Sequence, residues 1–139
     1  MSNDKKILEL LSSNRPPCLD TLNGKTTHFE PNPPFLTMEF EAVPEFCHSP
    51  TQVVQGGFVT GMLDTSMAHL LIALSGGRLN PVSLDINVSF LAPAHPGKLI
   101  SEAKVVRLGK SIGYFSSSLY QQETLVATAT STIKLVPMS

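Results

Sequence analysis

Every second residue from Val82 to Phe90 is apolar, and the residues between them are Ser, Asp or Asn. This period of two predicts a strand with one apolar and one polar face, and it assigns Ser83 to the polar face. Three more strands are predicted over Lys98–Leu108, Ser111–Tyr120 and Leu125–Val136. Because the segments between these four strands are short, they predict a meander in which each strand pairs with the next.

A long apolar segment precedes these strands. It predicts one central helix over Gly56–Leu74, with Gly76 and Gly77 as its stop signal. Since the helix is apolar nearly all round, it needs burial on most sides. Two earlier strands are predicted over Thr26–Glu30 and Phe35–Ala42. An antiparallel sheet wrapped round one apolar helix, an α+β fold, accounts for both patterns.

The N-terminal region predicts one further helix. The segment Asp4–Leu11 has the spacing of a short amphipathic helix, with Asn3 or Asp4 as its cap. Pro16 and Pro17 end it. The chain has 139 residues, a length that suits one domain over residues 1–139 with a single core.

Composition narrows the possible partners. Lys plus Arg is 10 and Asp plus Glu is 11, and the absence of a basic stripe argues against nucleic acid. Only 15% of the residues are charged and 42% are hydrophobic, which favours a surface partly covered by another subunit. Cys18 and Cys47 lack metal-ligand spacing and are expected to be free thiols in a reducing cytoplasm. The apolar segment Val53–Leu74 contains Asp64 and His69, so no membrane span is expected.

The start of the central helix carries the candidate chemistry. Gly56 and Gly57 leave backbone N–H groups approachable, and these donors, with the helix dipole, suit a negative charge developing on a carbonyl oxygen. Asp64 lies two turns further on. Keeping a carboxylate ionised in an apolar helix costs on the order of several kcal/mol unless something pairs with it. Asp64 is therefore expected to act as a base that activates water or as a nucleophile.

Helix geometry separates these two groups within one chain. Gly57 and Asp64 are seven residues apart, which is ~10.5 Å along the axis, whereas groups acting on one carbon must come within about 3–3.5 Å of it. Two antiparallel helices across a two-fold axis solve this, and they predict a site shared in a dimer. Two plainer interpretations stay open. In the first, Asp64 reaches solvent or bonds to Thr60 or Thr65. In the second, the glycines only permit close packing.

Three segments together resemble a known family. The motif QGG-(x)6-D over Gln55–Asp64, the segment Ser83–Pro93 and then Pro96–Gly97 look like the hotdog-fold acyl-CoA thioesterases of the phenylacetate-pathway (PaaI-like) type. The resemblance extends roughly from Pro50 to the C-terminus. It implies a hotdog fold, hydrolysis of an acyl-CoA, and no cofactor beyond the coenzyme A of the substrate. It also implies a homodimer or a homotetramer built as a dimer of dimers.

The resemblance assigns roles by position. It implies that Gly57 is the oxyanion donor, that Asp64 is catalytic and that Ser83 helps to orient the water or the acid. Gln55 stands where the family usually has His, and it is expected to support the loop; Ser49 stands where the family often has Asn. The candidate substrate-binding residues flank this centre or meet the nucleotide end of coenzyme A: Gly56, Ser49, Phe58, Gly109, Lys110 and Ser111.

Two rival functions remain. A hotdog hydratase or dehydratase usually pairs a His with an acid, and no such pair is apparent. A non-catalytic acyl-CoA-binding module fits the loss of the usual His at Gln55, but it gains nothing from the carboxylate of Asp64. The four histidines lack the mutual spacing of a metal site, so no metal is expected. His69 is expected to serve packing, whereas His48 precedes the candidate site and is kept as a possible member.

Overall fold

A computed structural model of the chain describes the backbone of residues 2–138 and the side chains of residues 5–138. Strands and helices follow one another in the predicted order. The helices are α1 (Ser2–Ser13), α2 (Pro17–Thr21) and α3 (Gly56–Leu74), with a 3-10 turn at Pro44–Phe46. The strands are β1 (Gly24–Pro31), β2 (Pro34–Ala42), β3 (Leu79–Phe90), β4 (Gly97–Leu108), β5 (Ile112–Gln121) and β6 (Thr124–Pro137).

The six strands form one antiparallel sheet in the order β1-β2-β4-β5-β6-β3, and α3 packs against all of them. Met62, Leu63 and Met67 of α3 are completely buried against sheet residues such as Leu99 and Phe115. Each such side chain contributes about 1.5–3 kcal/mol through its burial. A sheet wrapped round one long helix is the hotdog fold, which confirms the predicted fold class.

The predicted meander is wrong at β3. This strand pairs with β6 and not with β4. The reason is that both edges of β4 are already occupied, one by β2 and the other by β5. The segment after β3 instead passes the start of α3, where the Val54 N–H donates to the Ala94 carbonyl at 2.8 Å. As a result β3 lies at one edge of the sheet.

The two predicted faces of β3 are also partly wrong, because a bulge interrupts the strand. Ser83 pairs with Ile133, but Asp85 pairs with Thr132, so Leu84 has no partner of its own. Directly opposed residues share a sheet face, and Ile133 is fully buried on the helix side. Ser83 therefore faces α3, while Asp85 faces outward. Bulges of this kind reorient single side chains, often beside active sites.

The N-terminal helices differ from the prediction. Helix α1 begins at Ser2, so Asn3 and Asp4 lie within it and do not precede it as caps; their side chains are outside the described residues. The short helix α2 was not predicted. It begins with Pro17 in its first turn, where the missing N–H costs nothing, and Leu19, 1% exposed, anchors it to the core. Cys18 and Cys47 are free thiols, as predicted.

Both ends of α3 agree with the prediction. The helix ends at Leu74, and Gly76 and Gly77 follow with φ angles of +62° and +82°, a conformation that glycine adopts without strain. The Gly77 N–H donates back to the Ile72 carbonyl at 2.9 Å. By length and composition α3 is the one helix among residues 2–138 that would suffice to cross a membrane. Its apolar character is explained by its position as the core helix of this fold.

Candidate active site

The side chains of Asp64 and Ser83 meet between α3 and β3. Ser83 Oγ donates a hydrogen bond to Asp64 Oδ1 at 2.8 Å. Neither Thr60 nor Thr65 supplies that bond, whereas the partial exposure of Asp64 agrees with the other half of the plainer interpretation, in which the carboxylate reaches solvent. The position of Asp64 in an apolar helix would lead one to expect a buried carboxylate, but in the single chain Asp64 is only half-buried. The sheet leaves this face of the helix open.

The N-terminus of α3 is capped by a side chain that the sequence did not identify as a cap. Gln55 is the N-cap residue, and its Oε1 accepts a hydrogen bond from the Gly57 N–H at 2.9 Å. The amide predicted to bind an oxyanion is thus present at the helix start, but it is engaged by Gln55. Both residues are exposed. The carbonyl oxygen of a substrate can accept a hydrogen bond from the Gly57 N–H only when the Gln55 side chain moves away from it.

A side chain would be hindered at Gly56 and at Gly57 by different neighbours. A Cβ on Gly56 would lie 3.2 Å from the ring of Phe90, so this glycine permits close packing of the helix start on β3. A Cβ on Gly57 would lie 2.7 Å from Gln55 Oε1. The second glycine therefore keeps the space in which the Gln55 side chain lies, next to the exposed N–H.

Replacing Gln55 with alanine is expected to lower the free energy of unfolding by about 1 kcal/mol, because α3 loses its capping acceptor. Chemical denaturation with fluorescence or circular dichroism measures this. Thr60→Ala is the control, since the Thr60 side chain makes no hydrogen bond to residues 5–138 and alanine favours the helix. Equal stability of Gln55→Ala and the unaltered protein would contradict the capping role.

Within one chain, Gly57 and Asp64 remain separate. Both belong to α3, and their separation of seven positions corresponds to ~10.5 Å along the helix axis. Ser83 lies with Asp64, and Gln55 lies with Gly57. The predicted catalytic residues therefore form two pairs at two levels of the same helix.

An apolar cleft of about 400 Å³ opens beside the start of α3. Gly56, Val59 and Phe90 line it, together with His48. Sequence reasoning kept His48 as a possible member but missed Phe90, which it treated only as one apolar position of a strand. The signal that would have indicated Phe90 is its place at the end of β3, where the chain turns toward the helix start.

Ser49 and Phe58 lie near this cleft but make local contacts. Ser49 Oγ is 2.9 Å from Thr51 Oγ1 in the loop before α3. The Phe58 ring stacks on Phe46, with centroids 4.4 Å apart and an interplanar angle of 6°. In the single chain Phe58 therefore stabilises the contact between the loop and the helix start.

The candidate coenzyme A residues form the turn between β4 and β5. The Gly109 N–H donates to the Ile112 carbonyl at 2.9 Å, and a Cβ on Gly109 would lie 2.8 Å from that oxygen, so the tight turn requires glycine. Lys110 and Ser111 are exposed. Gly113, just after the turn, is opposite Ile133, which is opposite Ser83. Gly113 and Ser83 are thus two strand spacings, about 10 Å, apart across the sheet.

No group of three or more His, Cys, Asp or Glu side chains lies together in a metal-binding arrangement among the described residues. His69 packs in the interior, where it is 4% exposed. Burial lowers the pKa of His69 below its ordinary value. Asp64 is therefore not part of such a group within the described residues.

Comparison with known proteins agrees with this geometry. Residues 51–128 match the model of the family described as the thioesterase superfamily, a segment that contains Gln55, Gly57, Asp64 and Ser83. The chain belongs to this superfamily. A search of the curated proteins matches none of them to this chain.

Solved structures give the same relationship. A phenylacetic acid degradation-related protein of Ralstonia eutropha JMP134, named as a candidate thioesterase, is 31% identical, with a TM-score of 0.84 over 93% of this chain and 98% of that one. The Escherichia coli PaaI protein from the phenylacetic acid degradation operon is 18% identical, with a TM-score of 0.83 over 98% and 97%. A mutant thioesterase of Pseudomonas aeruginosa is 19% identical, with a TM-score of 0.81 over 94% of each chain. The recognition of a PaaI-like hotdog thioesterase is confirmed.

Proposed function

We propose that this protein hydrolyses an acyl-CoA thioester to a free acid and coenzyme A. The observation that carries the proposal is the hydrogen-bonded pair of Asp64 and Ser83 on the core helix of a thioesterase-superfamily fold. The carboxylate of Asp64 is a group that serves as a base or nucleophile. Nothing beyond the coenzyme A of the substrate is needed as a cofactor.

The reaction begins when the thioester carbonyl oxygen replaces Gln55 Oε1 as the acceptor of the hydrogen bond from the Gly57 N–H. That donor and the helix dipole stabilise the negative charge on the oxygen in the tetrahedral transition state. Two attacking groups are compatible with the geometry. Either a water that gives its proton to Asp64 attacks the carbonyl carbon, or Asp64 attacks and water then hydrolyses the anhydride. In both, the C–S bond breaks. In the first route the sulfur of coenzyme A takes the proton that Asp64 received from water; in the second it leaves as a thiolate, which solvent protonates.

Ser83 is a positioning residue for Asp64. Replacing Ser83 with alanine removes the hydrogen bond to Oδ1 and is expected to lower kcat about tenfold with little change in KM, because the carboxylate loses its fixed orientation. Steady-state release of free thiol measures both constants. Ser89→Ala is the matched control, an exposed serine on the same strand. An unchanged kcat in Ser83→Ala would refute the positioning role.

We propose further that the site is shared between two subunits, with Gly57 of one facing Asp64 of the other. Three observations support this. The two groups are ~10.5 Å apart along α3 in one chain. The face of α3 that carries Asp64 is half-exposed. Strand β3 lies at an edge of the described sheet, and its residues Val82, Leu84 and Phe90, with Leu91 just after it, are 42–57% exposed. Long apolar edges of this kind commonly pair with another chain.

The acyl group is proposed to enter the apolar cleft beside Gly56 and Phe90, against helix and sheet residues. Coenzyme A is proposed to lie near the exposed turn of Gly109, Lys110 and Ser111, where the Lys110 ammonium suits a phosphate group. The protein would then act in the cytoplasm as a homodimer or a dimer of dimers.

The alternative is a hotdog module that binds acyl-CoA without cleaving it. The observation that favours it is the hydrogen bond from the Gly57 N–H to Gln55. In the free chain this bond occupies the proposed oxyanion donor. The deciding experiment follows free thiol release from short aliphatic, long aliphatic and aromatic acyl-CoAs. A non-hydrolysable thioether analogue measures binding alone. Hydrolysis of one class identifies the acyl group, whereas tight binding of the panel with no thiol release would favour the module.

A further inference from the structure

A second cavity lies at the other end of α3, away from the catalytic residues. It has a volume of about 340 Å³ and is enclosed by α1, the C-terminal half of α3 and the start of β3. Neither Asp64, Ser83 nor Gly57 lines it. Leu10, Leu11, Ile72, Leu79 and Met138 form its apolar walls, and the amide side chains of Asn14 and Asn80 also line it. A volume of this size is at the lower end of small-molecule binding sites.

One buried polar side chain, His69, lines this cavity. It is 4% exposed, and its Nδ1 lies 2.9 Å from the carbonyl oxygen of Thr65 on the same helix. Because a carbonyl oxygen only accepts hydrogen bonds, Nδ1 carries the hydrogen in this contact. Nε2 is the other ring nitrogen and takes no part in this contact. No hydrogen-bond partner of Nε2 occurs among residues 5–138.

The imidazole of His69 is neutral near pH 7. Burial lowers its pKa most strongly, the positive charge of Arg15 lowers it further, and the bond to the Thr65 carbonyl acts in the opposite direction. A neutral ring with hydrogen on Nδ1 presents a bare lone pair at Nε2. The ring therefore has no positive charge with which to attract an anion, and it accepts one hydrogen bond.

We propose that this cavity binds a small neutral molecule with an apolar body and one hydroxyl group, and that the hydroxyl donates to Nε2 of His69. The apolar walls contact the body of the ligand, and the hydroxyl takes the place of solvent at Nε2, which is not among the fully buried polar atoms that lack a partner in residues 5–138. Removing solvent from the apolar walls while keeping a hydrogen bond at Nε2 favours binding. The site is separate from the proposed thioester hydrolysis and does not depend on it.

Phenol and toluene are matched probes of this site, because they share an aromatic body and differ in the hydroxyl. Phenol is expected to bind one equivalent per chain about tenfold more tightly than toluene, as measured by titration calorimetry. Nitrogen NMR of the unaltered protein provides an independent measurement. Saturating phenol should shift the Nε2 resonance of His69, whereas toluene should not. Equal affinities, or an Nε2 resonance that phenol leaves unmoved, would overturn the proposal.

Two variants locate the binding. His69→Leu keeps an apolar side chain in the cavity wall, and it should bind phenol and toluene with equal affinity. Asp64→Asn should retain the tenfold preference for phenol, because Asp64 does not line the cavity. Loss of the preference in Asp64→Asn with its retention in His69→Leu would assign phenol to the catalytic site and refute the second site.

Discussion

Asp64→Asn is expected to lower kcat for acyl-CoA hydrolysis by roughly 10³-fold, while the affinity for a thioether analogue stays within about twofold. Asparagine has the same shape and can still accept the hydrogen bond from Ser83 Oγ. It cannot take a proton from water or attack the carbonyl carbon at a useful rate. Free thiol release and analogue binding, measured on the same preparation, separate the loss of chemistry from the loss of binding.

Asp85→Asn is the control for this variant. Asp85 lies on the same strand as Ser83, faces outward, and accepts a hydrogen bond from the Thr132 N–H at 3.1 Å. The amide oxygen of asparagine can keep that bond, so the control should retain wild-type kcat. The catalytic role of Asp64 would be refuted if Asp64→Asn kept more than about a tenth of the wild-type kcat.

Mixing two inactive variants is expected to restore activity if the site is shared. Gly57→Pro removes the proposed oxyanion donor from the first turn of α3; it also removes the capping bond to Gln55 and displaces that side chain, so folding and dimerisation of the variant are verified before mixing. Asp64→Asn removes the base. A heterodimer of the two variants has one site with both defects and one site with neither. Random pairing of equal amounts makes about half of the dimers heterodimers, so about a quarter of the wild-type activity should return.

Two controls make the mixing experiment interpretable. Each variant is first denatured and refolded alone, which should restore no activity. In the second control, chains that carry both Gly57→Pro and Asp64→Asn are mixed with an equal amount of wild-type chains. A heterodimer of these two has one defect in each site, so only the wild-type homodimers, about a quarter of all dimers, should be active. If the mixed single variants regained nothing while native mass spectrometry detected the heterodimer, the shared site would be wrong.

Local sequence patterns predicted most of the fold because the elements are locally consistent. The alternation over Val82–Phe90 and the apolar run over Gly56–Leu74 each have one periodicity and clear end signals. Their bounds agree with β3 and α3 to within a few residues. The pairing of β3 with β6 could not be predicted in this way, because it depends on which strand edges remain open after the rest of the sheet has formed.

The candidate site was predicted in part. Asp64 was conspicuous as a lone carboxylate in an apolar helix, and the glycine pair marked the helix start. The orientation of Ser83 was not predictable from alternation, because the bulge at Leu84 arises from pairing with β6 and reverses the face of the residues before it. The cap made by Gln55 is a local contact that its residue type signals only weakly, since Ser, Thr, Asp and Asn are the usual N-caps.

The most direct test of the proposed hydrolysis is the fate of an acyl-CoA that the protein has bound. Protein in excess over substrate is incubated in ¹⁸O-labelled water with the best-bound acyl-CoA, and every product is identified by mass spectrometry. Hydrolysis is expected to yield equal amounts of coenzyme A and free acid, with ¹⁸O in the acid, or in Asp64 when water attacks the Asp64 carbon of the anhydride. Recovery of the intact acyl-CoA from a stable complex would contradict it.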